Sequence, residues 1–138
     1  MNYLLLVGEE LGIVKEQPRL LIIVSHSFIE MMVKSLADYY VPDNQIRNHS
    51  RRLEKLRKVG IIDDFQFELY QWYKNLRNEA VHTPIFRLSD CHLEPLIGLA
   101  KRKELSVDNF HNFSMSLIGE LWNKNLNVLG PKYLPDIG

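Results

Sequence analysis

Between residues 18 and 40, apolar side chains crowd most of the circumference that a helix over this segment would present. Leu21, Val24, Phe28, Met32 and Leu36 mark one line along it, and their neighbours fill the flanks. A helix apolar on so many sides needs partners all around it, which is the central position of a helical bundle. Pro18 suits its first turn, and Val41-Pro42-Asp43-Asn44 breaks it. The rest of the chain supplies the partners. Leu4, Val7, Leu11 and Val14 form a helical stripe ahead of it. A short basic helix is expected over residues 50–59, closed by Gly60. Asp63 with Gln66 three positions later reads as a capping box. Behind it Phe65, Leu69, Trp72, Tyr73, Leu76 and Ala80 recur at steps that place them on one helical face. This helix is expected to stop near His82, because Pro84 disfavours helical geometry at Thr83. Residues 85–94 read as a loop, a shorter helix is expected from Pro95, and a last one carries Phe110, Phe113, Leu117 and Leu121. The segment from Gly130 onward, with Pro131 and Pro135, is expected to be irregular. With no repeat and no strand-like run, the fold class is all-α, a small bundle of four to five helices.

At 138 residues the chain fits one domain, able to bury a core without metal or disulfide staples. Within it, residues 1–16 read as an N-terminal helical extension, 18–124 as the core and 126–138 as an irregular tail. Formal net charge is zero, so no global field draws in nucleic acid or membrane, and any such preference has to come from local clustering. The single cysteine, Cys91, has no internal disulfide partner, which suits a reducing cytosol. The runs 4–7 and 20–24 are short for an export signal or a bilayer span. The expectation is a cytoplasmic protein with no membrane partner.

Chemistry concentrates in Arg77-Asn78-Glu79-Ala80-Val81-His82. An arginine with four to six residues between it and a histidine is expected about once by chance in such a chain. Here it occurs three times: Arg19 with His26, Arg87 with His92, and Arg77 with His82. Arg19 lies on the apolar helix, which makes His26 a core or boundary residue, and Arg87 sits in the loop. Only Arg77 has a further polar partner, since Asn78 and His82 are four residues apart on one helix face. The negative end of the helix dipole favours a protonated His82 and suits it to give and take a proton. A neighbouring guanidinium matches phosphate oxygens in a bidentate fork. The plain alternative, an Arg77 ion pair with a facing acid and a His82 that caps carbonyls, fits the spacing as well.

Leu76-Arg77-Asn78 and His82, late in an amphipathic helix of a small all-α domain, resemble the HEPN superfamily, whose signature is an arginine, then a polar residue, then a histidine. The upstream helix with Glu30 inside it also resembles that family's first core helix, and the likeness runs by helix order from Pro18 to Leu121. The resemblance implies metal-independent endoribonuclease activity at a cleft shared by two protomers of a homodimer. It implies that His82 moves the proton of the ribose 2′-hydroxyl, that Arg77 steadies charge on the scissile phosphate, and that Asn78 orients them. It also implies a toxin or antiviral defence role under the restraint of an antitoxin or other regulatory protein partner. Some members of that family only bind a nucleotide, RNA or a partner protein, and that remains the alternative. A third reading is an unrelated helical interaction module with an accidental match.

Arg47, Arg51, Arg52, Lys55, Arg57 and Lys58 face one acid, Glu54, with His49 as a further charge, and this run can follow an RNA backbone or form a solvated helix face. Tyr70 lies off the main apolar stripe and is a candidate to stack on a base, while Trp72 and Tyr73 read as core or interface. Glu30, set among Phe28, Ile29, Met31 and Met32, is a candidate to hold Arg77 or Lys34 from behind. Cys91, His92 and His111 lack metal-ligand spacing, and the chain has no glycine-rich phosphate loop, so neither metal nor cofactor is expected.

Overall fold

A computed structural model describes residues 3–42, 47–100 and 105–133. Among the described residues there are seven α-helices, one 3-10 turn and no strand. The helices are α1 (Tyr3–Ile13), α2 (Pro18–Tyr40), α3 (His49–Lys58), α4 (Asp64–His82), α5 (Asp90–Ala100), α6 (Phe110–Lys124) and α7 (Leu126–Tyr133), with the 3-10 turn Val107–Asn109 leading into α6. The all-α class is as the periodicity requires.

α2 is the axis of the bundle and packs against α1, α3, α4, α6 and α7. Pro18 opens it, and its Leu21, Ile22, Ile29, Met32, Val33 and Leu36 are buried. It is long and apolar enough to cross a membrane by composition alone. In this structure just over half of that window is buried against the neighbouring helices, while Leu20, Glu30, Lys34, Asp38 and Tyr39 lie exposed. α3 begins at the Asn48 cap, whose side chain accepts the Arg51 N–H. It ends in a Schellman turn: Gly60 takes φ +81, Ile61 N–H reaches Leu56 O at 2.9 Å and Gly60 N–H reaches Arg57 O at 3.1 Å. α4 starts on the capping box, with Gln66 N–H on Asp63 Oδ1 at 2.7 Å and Asp63 N–H on Gln66 Oε1 at 3.0 Å. It ends at His82 because Thr83 turns extended (φ −95, ψ 113) ahead of Pro84.

The described residues form seven helices where four to five were expected, and the structure departs from expectation in three places. α5 starts at Asp90, five residues before Pro95, which lies inside the helix. Ser89 N–H donates to His92 Nδ1 at 3.1 Å and the Ser89 hydroxyl lies 3.0 Å from the same nitrogen, so a histidine fills the place usually held by Glu or Gln in a capping box. The helix therefore opens one turn early. Residues 126–133 are also regular: Gly130 and Pro131 lie within α7, which ties back to α2 through a Tyr133–Ser35 hydroxyl contact. Residues 134–138 lie outside the described residues. Finally, residues 3–13 form part of the core rather than an extension of it, since Val7 and Leu11 are completely buried. At this end Tyr3 stacks on Trp122 with ring centroids 4.8 Å apart.

Candidate functional site

α4 places its motif through the residues that anchor it. Tyr73 sinks into the core, where burial pushes its phenol up to about 12 and its hydroxyl meets Ser114 Oγ at 2.7 Å. Arg77 lies one turn further along the same face, so its stem leaves the core edge half-buried. Its Nη1 donates to Asn78 Oδ1 at 3.3 Å, which joins two of the three motif residues. His82 is exposed. Five residues along a helix turn it about 140° from Arg77, so within one chain the two leave α4 in different directions.

The two Arg–His matches set aside on sequence grounds frame this helix end. Arg19 Nη2 donates to the carbonyls of Thr83 at 3.0 Å and Pro84 at 3.1 Å, and its guanidinium lies 5.9 Å from the Phe86 ring centroid. His92 Nε2 lies 3.1 Å from Glu79 Oε1, and Trp72 Nε1 donates to the His92 carbonyl at 3.1 Å. Glu79, inside the motif, is thus engaged by α5.

The polar centre lies where α2, α3 and α4 meet. His26 and His49 are 2% and 7% exposed, with ring centroids 5.1 Å apart and planes at 76°. His26 Nε2 and both ring nitrogens of His49 are buried with no hydrogen-bond partner in the protein. Burial first, then the charges of Arg77 and Lys74, lower His26 to about 4. Burial, then His26, Lys74 and Arg52, lower His49 to about 3. Both imidazoles are neutral at physiological pH. His49 is therefore no further charge of the basic run. Above them Lys74 Nζ donates to Ser50 Oγ at 2.5 Å, and Ser50 Oγ donates to Gln71 Oε1 at 3.2 Å. Among the described residues no carboxylate lies within ion-pair distance of Lys74 or Arg77.

α3 runs antiparallel to α4. Its first turn faces Gln71 and Lys74 through Ser50, and its last faces the start of α4, where Arg57 lies over Phe67 at 3.9 Å and within 3.9 Å of Asp64. Asp64 and Arg77 are about 20 Å apart along the axis. Arg47 and Arg51, both exposed, and half-buried Arg52 thus belong to the motif end of the basic run; Lys55 is midway and Lys58 lies at the far end.

Two expectations are corrected. Tyr70 is 1% exposed and its phenol is pushed up by burial, so it offers no face on which a base can stack. Glu30 does not brace Lys34, which pairs with Asp38 at 3.6 Å; the Glu30 carboxylate lies 3.9 Å from His26 Nδ1, an ion pair only when that imidazole is protonated. Glu30 makes no contact with Arg77 within ion-pair distance. Lys74 was within reach of sequence reading, since it precedes Arg77 by three residues on one face. The meeting of His26 with His49 is a tertiary contact with no local signature. Among the described residues, no three His, Cys, Asp or Glu side chains gather as a metal ion requires. Comparison with family models, with curated proteins and with solved structures finds no match for this chain.

Proposed function

We propose that this protein is a small HEPN-like, metal-independent endoribonuclease that works as a cytoplasmic homodimer. The observation that carries the reading is the gathering of Arg52, Lys74 and Arg77 at one helix junction at the motif end of α4, the last two with no carboxylate among the described residues within ion-pair distance. An RNA backbone supplies the negative charge such a junction lacks. In the proposed reaction His82 takes the proton of a ribose 2′-hydroxyl as its oxygen attacks the adjacent phosphorus. Arg77, steadied by its bond to Asn78, neutralises charge on the phosphate oxygens. The bond from phosphorus to the 5′-oxygen breaks, that oxygen takes a proton from water, and a 2′,3′-cyclic phosphate remains. Because Arg77 and His82 leave α4 in different directions, the scheme uses His82 of one protomer with Arg77 of the other. A toxin or defence role under a restraining protein partner accords with this chemistry.

The test is cleavage of a mixed RNA in EDTA by wild type, His82→Ala and Arg77→Ala. Cleavage by wild type alone, leaving cyclic phosphate ends, supports the proposal; equal activity in all three points to another site or a contaminant. The same divergence of Arg77 and His82 favours a second reading, a domain that binds RNA or a nucleotide without cutting it. That reading expects RNA binding with intact substrate in all three proteins.

A further inference from the structure

Lys74 and Arg77 are half-buried cations one turn apart on α4, and both act on the same buried imidazole of His26. Like charges at this spacing repel, and cations drawn partly out of water are ordinarily matched by acids. Here no acid among the described residues is close enough. Lys74 spends one of its three donors on Ser50, and Arg77 spends one of its five on Asn78. Beneath them lie two histidines more than nine-tenths buried, carrying three ring nitrogens without a partner. A buried polar group left unpaired costs about 1–3 kcal/mol, so such a pair is not what packing alone selects.

We propose that Lys74, Ser50 and Arg77 form a phosphate subsite at the α2–α3–α4 junction, floored by His26 and His49, that grips a phosphate group of an RNA chain or a nucleotide. The site rests on geometry; it rests on the ribonuclease reading only for RNA as the natural source of the phosphate. Lys74 and Arg77 supply charge-assisted donors to the oxyanion, and Ser50, held by Gln71, fixes the ammonium in place. Loading the site also reverses the electrostatics of its floor. His26 faces Glu30 on its own helix and Lys74 and Arg77 on α4; His49 faces Arg52 on its own helix, His26 on α2 and Lys74 on α4. A phosphate offsets those cations and favours a proton on the imidazoles. Phosphate binding and proton uptake are then linked, and the imidazoles take up protons at higher pH when the site is full than when it is empty.

The test titrates the 138-residue chain with inorganic pyrophosphate and, separately, with a short 2′-deoxy oligonucleotide, which the proposed reaction cannot cut. Saturable binding is expected, with the imidazole C–H resonances of His26 and His49 moving as the site fills and titrating at higher pH when it is full. Lys74→Ala is expected to weaken binding by about tenfold or more. Lys132→Ala, which removes the same charge from α7, is expected to change it by less than about twofold. Lys74→Gln keeps the stem and answers for any folding defect of the alanine variant. Tighter binding of the oligonucleotide assigns the site to a nucleic-acid backbone; equal binding assigns it to a free phosphate or nucleotide. The proposal is overturned by absence of saturable binding, by a Lys74→Gln protein that binds like wild type, or by histidine resonances that stay fixed at saturation. Because the ligands are uncleavable, loss of RNA cleavage alone leaves these results unchanged, so the two readings fail separately.

Discussion

The two halves of α2 treat their polar groups in opposite ways. In the second half Ser35 donates to the Met31 carbonyl and meets the Tyr133 hydroxyl, while Tyr3, Trp122 and Tyr133 close over them as an aromatic cluster. In the first half His26 lies against His49 with unpartnered nitrogens, under two cations that no acid neutralises. One region spends its contacts on holding helices together. The other holds charge and donors in reserve, which is how a folded protein keeps a surface ready for an anion. On the proposed phosphate subsite, stability and binding are separated along a single helix, and that separation can be broken by experiment.

The largest effect expected is on chemistry. His82→Ala is predicted to lower RNA cleavage by about 10²–10⁴-fold, the usual worth of a positioned acid or base. Its unfolding midpoint should stay that of wild type, because the side chain is exposed. At the opposite end Trp122→Ala is predicted to cost about 3–5 kcal/mol of stability, since it removes a buried indole that stacks on Tyr3. Urea unfolding measures that loss. Pyrophosphate binding by the folded fraction should be unaltered, and a fall in affinity equal to that of Lys74→Ala breaks the separation.

Next in size is an acid effect confined to the first half of α2. A histidine held below its unfolded value of about 6.5 stabilises the fold fully above that pH and loses the advantage as pH falls toward the folded value. For His26, lowered to about 4, the window runs from pH 6.5 down to 4 and amounts to roughly 3 kcal/mol. His49 adds a loss of the same sign that extends to about pH 3. His26→Leu should flatten part of this slope in urea titrations taken across the window. A variant as acid-sensitive as wild type places the titrating groups elsewhere.

The parts of this molecule legible in the sequence are those set by local rules. Pro18, Gly60, and Asp63 with Gln66 fixed helix ends to within a residue, because each acts on backbone groups a few positions away. α5 was misjudged where a histidine did the work of a carboxamide at a cap, and α7 where Gly130 and Pro131 are overridden by packing of Val128 and Leu129 in the core. In the site, Arg77 and Asn78 were legible by spacing. Tyr70 was misread since leaving the main stripe of α4 still leaves a residue buried in the core, within reach of the charge of Glu120 on α6, and the His26–His49 contact depends on how α3 lands on α2. No periodicity encodes that landing.

The smallest predicted effect is the most local. Arg19 fastens the end of α4 through the Thr83 and Pro84 carbonyls and over the Phe86 ring. These contacts are part-exposed, so Arg19→Ala should cost about 1 kcal/mol, read as a shifted urea midpoint at unchanged slope. Exchange of the Thr83 amide, bonded to the Glu79 carbonyl, should quicken and that of α6 stay slow, because the freed carbonyls belong to the segment that follows His82 and touch nothing at the aromatic end. Cleavage should fall by less than in His82→Ala, since the imidazole remains and only its placement loosens. A loss as large as that of Trp122→Ala, or faster exchange across α6, means that the motif end bears as much of the fold as the aromatic cluster does, and the two halves of α2 are then one cooperative unit.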